Sequence, residues 1–127
     1  MKSLFLFLFL FPFAALYAAE TDTLRLNGET LVLHFYGHSS LDIEYKGKFI
    51  YTDPVSQYAA YDKLPKADLI LVTHEHYDHL DTTAIRNLTK PATEPAANEN
   101  TRKIIGRGTA LKNGQSAREC GLLIEAV

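Results

Sequence analysis

The alternation of apolar and polar positions between residues 30 and 53 predicts three β-strands. Residues 30–36 (TLVLHFY) and 41–45 (LDIEY) follow the period of two that is typical of a strand with one buried face. Lys46-Gly47 offers a tight turn, and the return segment 48–52 (KFIYT) predicts a hairpin with the strand before it. Asp53-Pro54 ends this hairpin, because proline cannot continue a central strand.

The middle of the chain predicts one buried strand and one helix. Residues 67–73 (ADLILVT) form a continuous apolar run of strand length, which indicates a strand buried on both faces. Asp81 is placed to cap a helix that runs to about Leu88, with Ala84, Ile85 and Leu88 on one face.

The last third of the chain predicts turns and short elements. Residues 90–101 are polar and contain two prolines, so we expect a loop there. Residues 102–108 (RKIIGRG) are typical of a helix that ends at Gly106, and 112–115 (KNGQ) are typical of a turn. Residues 120–127 (CGLLIEAV) predict one final strand. Strands followed by mixed strands and helices favour an α+β fold, a mixed β-sheet with helices on one side.

Residues 1–19 are predicted to be a secretory signal peptide. They have one lysine near the start, an apolar stretch of leucine and phenylalanine, and small residues after a proline. Cleavage is expected after Ala18 or Ala19, which places the domain at 20–127 and the protein outside the cytoplasm, secreted or periplasmic. A retained membrane anchor is the alternative, but the uncharged run 3–19 has 17 residues, at the lower limit of the range for a span.

Composition narrows the classes of partner. Without the signal segment, 12 basic and 15 acidic residues give a formal charge of −3, so nucleic acid and anionic membrane surfaces are not expected partners. The remaining chain is long enough for one small domain. The single cysteine, Cys120, excludes an internal disulfide. Because it lies beside apolar residues, it is predicted to be a small buried residue rather than a reactive thiol.

Residues 71–81 (LVTHEHYDHLD) carry three of the chain's five histidines. They follow the predicted buried strand, where a rigid strand end can hold several side chains near one point. His74 and His76 are two residues apart, so on extended backbone both imidazoles lie on the same side and could bind one zinc ion. Asp78 and His79 follow a turn and could hold a second metal ion, and paired metals can activate a hydroxide. The alternative is a solvated polar loop that is rich in histidine.

The motif HEHYDHLD at 74–81, preceded by DLILVT, resembles the signature of the metallo-β-lactamase superfamily of metal-dependent hydrolases. The segment 34–54 (HFYGHSSLDIEYKGKFIYTDP) is similar to the branch that contains ascorbate-6-phosphate lactonase-like enzymes. The resemblance covers most of residues 31–127 and weakens after residue 90. It implies the N-terminal half of an αββα sandwich, a small-molecule substrate, and hydrolysis of an ester, lactone, amide or phosphoester.

The resemblance also implies roles for individual residues. His74 and His76 would bind a first zinc ion, and Asp78 and His79 a second, so that up to two zinc ions are the implied cofactors. Asp78 would also act in catalysis by steering the nucleophilic water. Asp53, at a strand end, is expected near the site, where it could orient a ligand histidine.

Plain structural roles are the alternative for two further histidines and one aspartate. A structural role is favoured for His34 on its strand, and a capping role for Asp81. For His38, in a Gly-His-Ser-Ser turn near the expected mouth of the site, a structural role and a role in the site are equally favoured.

The resemblance implies more metal ligands than the chain supplies. Such a site needs a third histidine on the first metal, a bridging aspartate and a last histidine on the second, but no histidine or aspartate follows Asp81. The chain is therefore interpreted as a truncated form that is incomplete for catalysis. A metal-binding or oligomerising fragment without catalysis is the alternative. Without a second sheet, the apolar runs LILV and LLIEAV would be exposed, which predicts self-association.

Overall fold

The computed structural model describes residues 19–127, and the predicted signal segment lies outside the described residues except for Ala19. The described residues form a seven-stranded mixed sheet, a separate two-stranded hairpin and two helices. The strands are β1 (Glu20–Leu26), β2 (Glu29–Gly37), β3 (Ser40–Tyr45), β4 (Lys48–Thr52), β5 (Leu69–Val72), β6 (Glu94–Ala97), β7 (Thr109–Ala110), β8 (Ser116–Glu119) and β9 (Leu122–Glu125). The helices are α1 (Thr82–Leu88) and α2 (Glu99–Ile105).

The strands of the large sheet lie in chain order, and their direction changes halfway across. β1 to β4 are antiparallel, and β4 to β7 are parallel. Lys46 and Gly47 connect β3 to β4 with φ values of 52° and 72°, the left-handed backbone that two-residue hairpin turns require. The predicted hairpin is therefore confirmed, and its carboxyl end leads into the parallel half of the sheet.

The predicted N-terminal cap of α1 and the predicted C-terminal end of α2 are both present. Asp81 caps α1, since one of its carboxylate oxygens accepts hydrogen bonds from the amides of Thr83 (2.8 Å) and Ala84 (3.1 Å). The other oxygen accepts from the amide of Ser56 at 2.9 Å. Partial burial opposes ionisation of Asp81, but these hydrogen bonds hold its pKa below the ordinary value. α2 ends at Gly106, whose φ of 83° is the left-handed helix cap expected of glycine.

The hydrophobic core lies between the sheet and the helices. Tyr51, Ile70 and Val72 of the sheet are buried against three apolar residues of α1. These are Ala84, Ile85 and Leu88, as the sequence predicts. Ile105 of α2 packs against the same core, so both helices cover one face. The α+β fold with helices on one side of a mixed sheet is confirmed.

The expectation that LILV is exposed is wrong. Ile70 and Val72 face the helix-covered core, and Leu69 is 1% exposed on the opposite face. On that opposite face the turn of the β8–β9 hairpin lies over β4 to β6. There the amide of Cys120 donates to Glu94 at 3.0 Å, and Lys48 donates to the Cys120 carbonyl.

The rest of that opposite face, across β1 to β3, is only partly covered within residues 19–127. We call this surface the open face. Strand register places on it a set of apolar side chains that are half-buried or exposed. They are Leu24, Leu26, Leu31, Leu33, Phe35, Leu41, Ile43 and Tyr45. The uncovered apolar surface that predicts self-association is therefore the open face rather than β5.

Three further predictions for the described residues were wrong or incomplete. The predicted loop 90–101 contains β6, because pairing with β5 and β7 holds Pro95 and two alanines in a parallel strand. The final strand predicted in 120–127 is present as β9, but the prediction missed that β9 is the second half of a hairpin with β8. Cys120 is half-buried in its turn rather than in a core. β1 was not predicted, because all of its residues are exposed and it therefore has no buried face that would indicate a strand. Neither helix in residues 19–127 is long and apolar enough to cross a membrane.

Candidate metal centre

The four predicted ligands lie on the turn that follows β5. The amides of His79 and Leu80 both donate to the carbonyl of His76, at 2.9 and 2.8 Å. This turn brings the ring of His79 back to 4.0 Å from that of His74, centroid to centroid. All four side chains therefore lie at the carboxyl end of a parallel strand, the usual edge for ligand sites in such sheets.

His74 and His76 form the first pair of donor atoms. The Nε2 of His74 and the Nδ1 of His76 are 3.1 Å apart. The other nitrogen of His74 lies 3.0 Å from the hydroxyl of Thr73. Because Thr73 can fix one ring nitrogen, the other is left free to face His76.

Asp78 and His79 form a second group together with His38. The Nε2 of His38 lies 3.3 Å from both the Nε2 of His79 and the Oδ2 of Asp78. The remaining separation, from the Nε2 of His79 to the Oδ2 of Asp78, is 3.8 Å. The sequence left the role of His38 open. The structure places His38 beside two predicted ligands, although it lies 41 residues before His79 in the chain.

Asp53 holds His79 from behind. The Asp53 carboxylate is 0% exposed, and it accepts hydrogen bonds from the amide of Thr73, the hydroxyl of Thr73 and the Nδ1 of His79, each at 2.8 Å. A buried carboxylate beside Nδ1 keeps the proton on that nitrogen, which leaves Nε2 with its lone pair directed into the site. The expectation that Asp53 lies near the site and contacts a candidate ligand histidine is met by this geometry.

Glu75, between the first two histidines, was not assigned a role from the sequence. Its carboxylate accepts hydrogen bonds from the side chains of Asn98 (3.0 Å) and Asn100 (3.1 Å). These hydrogen bonds lower the pKa of Glu75 to about 2. Glu75 therefore ties the histidine turn to the start of α2, where Asn98 is the cap residue. Its alternation with the two histidines on extended backbone is the signal that could have shown it pointing away from them.

Two hydroxyl residues of the site were also missed. Ser39 lies with its Oγ 3.0 Å from the Nδ1 of His79, and Thr73 contacts both Asp53 and His74. Neither has a local sequence signal, because each is identified only by what folding brings against it.

His34 lies outside this centre. Its Nδ1 is 2.9 Å from the Oδ2 of Asp42, a carboxylate that is 1% exposed and also accepts a hydrogen bond from Tyr36. The structural role predicted for His34 is confirmed.

The donor atoms fit metal ions in kind and in spacing. Atoms bound to one tetrahedral zinc ion at about 2.0–2.1 Å lie about 3.3–3.4 Å from one another. The His74–His76 pair at 3.1 Å and two of the three separations in the His38 group at 3.3 Å are close to that spacing. Imidazole nitrogen with carboxylate oxygen is a donor set that zinc accepts.

A comparison with known families decides the assignment. The family model described as the beta-lactamase superfamily domain matches residues 32–127. The chain belongs to the beta-lactamase superfamily. The match includes every residue of the centre, and it confirms the metallo-β-lactamase resemblance that the motif at 74–81 carries.

Two known proteins are similar to part of this chain. A metal-dependent hydrolase of Flavobacterium johnsoniae is 53% identical over 51 residues, which cover 36% of this chain and 23% of that protein. An uncharacterized protein of Mycobacterium tuberculosis is 29% identical over 94 residues, 58% of this chain and 24% of that protein.

Solved structures extend the similarity to the fold. A crystal structure from Parabacteroides distasonis, of a protein described as a metal-dependent hydrolase, is 46% identical with a TM-score of 0.76. It covers 78% of this chain and 46% of that one. A metallo hydrolase of Ignicoccus hospitalis, at 22% identity and a TM-score of 0.55, shares the fold. The chain thus covers less than half the length of each relative named here.

Proposed function

We propose that this chain carries the metal-binding half of the active site of a zinc-dependent hydrolase. The observation that carries the proposal is the arrangement at the end of β5. His74 and His76 present two nitrogens 3.1 Å apart, while Asp78 and His79 face a separate point with a buried carboxylate behind His79. Superfamily membership supports a metal-dependent hydrolase, and zinc is proposed because imidazole and carboxylate donors suit it.

Each residue of the centre has a proposed task. His74 and His76 would hold a first zinc ion, and Asp78 and His79 a second. Zinc bound there would lower the pKa of a coordinated water and polarise the bond under attack. Asp53 keeps the Nδ1 of His79 protonated and the ring fixed in direction. Asp78, whose side chain is 36% exposed, is proposed to accept a hydrogen bond from the attacking water and so set its line of approach.

The number of ligands limits what these residues do alone. A catalytic zinc site uses three protein ligands, and the first pair supplies two. We infer that the missing ligands come from outside the 127 residues and that the chain by itself turns over no substrate. Reading the coding DNA past codon 127 tests this inference. A continuation with Gly-Asp and further histidines supports it, and a stop without such a remnant contradicts it.

The proposed substrate is a small molecule with an ester, lactone, amide or phosphoester bond. The test is hydrolysis of a panel of these four classes by the chain together with the ligand-bearing segment so identified. We expect hydrolysis of at least one class that is lost with EDTA, restored by zinc and abolished by His74→Ala. His34→Ala is the matched control, because His34 is a histidine of the same sheet outside the centre. Hydrolysis that survives EDTA, or none at all, contradicts the proposal.

A second candidate is a metal-binding protein that self-associates and does not catalyse. The open face favours it, since Leu24 is 50% and Phe35 is 38% exposed on a row of apolar side chains. Burial of this face against a second copy would remove apolar surface from water. Sedimentation velocity of the purified chain tests it. A dimer that dissociates in Phe35→Lys supports self-association through this face, and a monomer at ~100 µM, where interfaces of moderate affinity are occupied, contradicts it.

The location is proposed from the signal segment in residues 1–19. Export to the periplasm or the medium would place the zinc centre outside the cytoplasm. Sequencing the N-terminus of protein recovered from those fractions tests this proposal. A start at residue 19 or 20 supports it, and an intact Met1 in the cytoplasmic fraction contradicts it.

A further inference from the structure

His38 has a backbone conformation that its residue type disfavours. It is the first central residue of the turn between β2 and β3, with a φ of 51°. A positive φ at that position favours glycine, and a left-handed conformation costs other residues about 1–2 kcal/mol. The other left-handed non-glycine residues in 19–127 are Asn27, Lys46, Cys120 and Asp53. The first three precede a glycine in hairpin turns, and the fourth belongs to the metal centre.

The surroundings of His38 fix the direction of its ring. The ring stacks on that of Tyr58, with centroids 6.2 Å apart and planes at 28°. Gly37 allows this approach, because a Cβ at residue 37 would lie 3.0 Å from the Tyr58 ring. The next residue, Ser39, contacts His79 at 3.0 Å. The strained turn is therefore held between Tyr58 and His79, and its imidazole is directed at the second group of donors.

The three donor atoms of that group form a triangle, and two of its three sides match the spacing of ligand atoms around one zinc ion. Two sides, both from the Nε2 of His38, are 3.3 Å. The third side, between His79 and Asp78, is 3.8 Å. Ligand atoms about 2.0–2.1 Å from a tetrahedral zinc ion lie about 3.3–3.4 Å apart. Without an ion, a proton on the Nε2 of His38 could be donated to the Nε2 of His79 or to the carboxylate of Asp78.

We propose that His38 is the third protein ligand of the zinc ion held by Asp78 and His79. The inference rests on the proposed function for the existence of that ion, and it adds a residue that the motif at 74–81 does not contain. With His38, this centre has three ligands from the chain itself, the number that catalytic zinc sites use. A further ligand such as water could reach this centre from solvent, since the side chains of His38 and Asp78 are 46% and 36% exposed. The chain would then bind one zinc ion more tightly at this centre than at the His74–His76 pair.

The test compares zinc binding by the full chain and by His38→Gly. Glycine suits the backbone of residue 38, so this variant removes the imidazole without straining the turn. We expect the affinity for zinc, measured by competition with a chelating dye, to fall at least ~100-fold, since even residues behind the ligands cost about 10–100-fold. The metal-free variant should unfold at the same or a higher urea concentration. His34→Ala should keep the affinity within ~3-fold, because it alters a histidine outside the centre.

X-ray absorption of the zinc-loaded chain provides a second readout that does not depend on how variants fold. In His76→Ala the remaining zinc should show two imidazole ligands, and adding His38→Gly should leave one. If His38→Gly binds zinc within ~3-fold of the unaltered chain, or if the zinc in His76→Ala has only one imidazole ligand, the assignment of His38 is overturned. Either result leaves the proposed function in place. A chain that binds no zinc overturns the assignment together with the metal site on which the proposed function depends.

Discussion

Replacement of Asp53 by asparagine separates the orientation of His79 from the stability of the fold. The Asp53 carboxylate accepts the proton of the His79 Nδ1 at 2.8 Å while also accepting two hydrogen bonds from Thr73. An asparagine keeps the shape and tolerates the left-handed φ of 43° at this position. Its amide, however, can place an NH2 group where the carboxylate accepted.

An NH2 group beside the Nδ1 of His79 favours the other tautomer of the ring. The proton then moves to Nε2, the nitrogen that faces Asp78 and His38. A protonated Nε2 cannot bind a metal ion. We expect Asp53→Asn to lower zinc affinity by about 10–100-fold, which is about 1.4–2.7 kcal/mol of binding free energy.

The same substitution also weakens charged hydrogen bonds that stabilise the fold, so a matched control is required. Asp42→Asn serves, since Asp42 is 1% exposed and its carboxylate lies 2.9 Å from the Nδ1 of His34, away from the centre. Both variants should lose about 1.5–3 kcal/mol of unfolding free energy in urea, but only Asp53→Asn should lose zinc affinity. Nitrogen NMR of the histidine rings should show the His79 proton on Nε2. Equal loss of zinc affinity in both variants, or no loss in Asp53→Asn, would show that Asp53 does not set the tautomer of His79 for metal binding.

Three predictions concern the fold that supports the centre. Asp81→Ala removes the cap of α1 and should lower the unfolding free energy by about 0.5–2 kcal/mol in urea; an unchanged midpoint would contradict the capping role. Partial burial raises the pKa of Asp68, but its 2.7 Å ion pair with Lys90 contributes to a net pKa below the ordinary value. The ionised Asp68 therefore raises the free energy of unfolding above about pH 4, and this contribution should be lost as the pH falls through the folded pKa. Asp68→Asn lacks this carboxylate, so its unfolding curves should change less with acid. Gly108→Ala places a Cβ 2.2 Å from a carbonyl oxygen of β6, whereas a Cβ at residue 114 would meet no such atom within 4 Å. Gly108→Ala should therefore destabilise the protein more than Gly114→Ala, and equal thermal midpoints would contradict this.

Local periodicity was sufficient to predict β2 to β5 and α1. Each has an apolar pattern that matches one buried face or, for β5, two. β6 has no such pattern, since EPAA is a strand only because β5 and β7 pair with both of its edges. β1 is exposed along its whole length, so no apolar face marks it. Where a strand depends on its neighbours rather than on its own residues, a local pattern cannot predict it.

The candidate site likewise contains residues that a local pattern predicts and residues that only folding brings together. The spacing of His74, His76, Asp78 and His79 shows donors on one turn, because neighbours in sequence are neighbours in space. Asp53 could be placed near the site by its strand end, but its three hydrogen bonds depend on how β4 and β5 pair. His38 lies 41 residues from His79 along the chain. Only the bulge and turn at the end of β2 bring its ring to the centre, and the sequence alone does not specify that geometry.

Zinc binding by the turn after β5 is the property on which the proposed function depends. The most direct measurement is the zinc content of the purified chain after equilibrium dialysis at micromolar free zinc. The comparison is a variant in which His74, His76, Asp78 and His79 are all alanine. We predict about one zinc ion per chain, and none in the variant. Less than about 0.2 zinc per chain, or equal zinc in the two proteins, would contradict zinc binding by this turn.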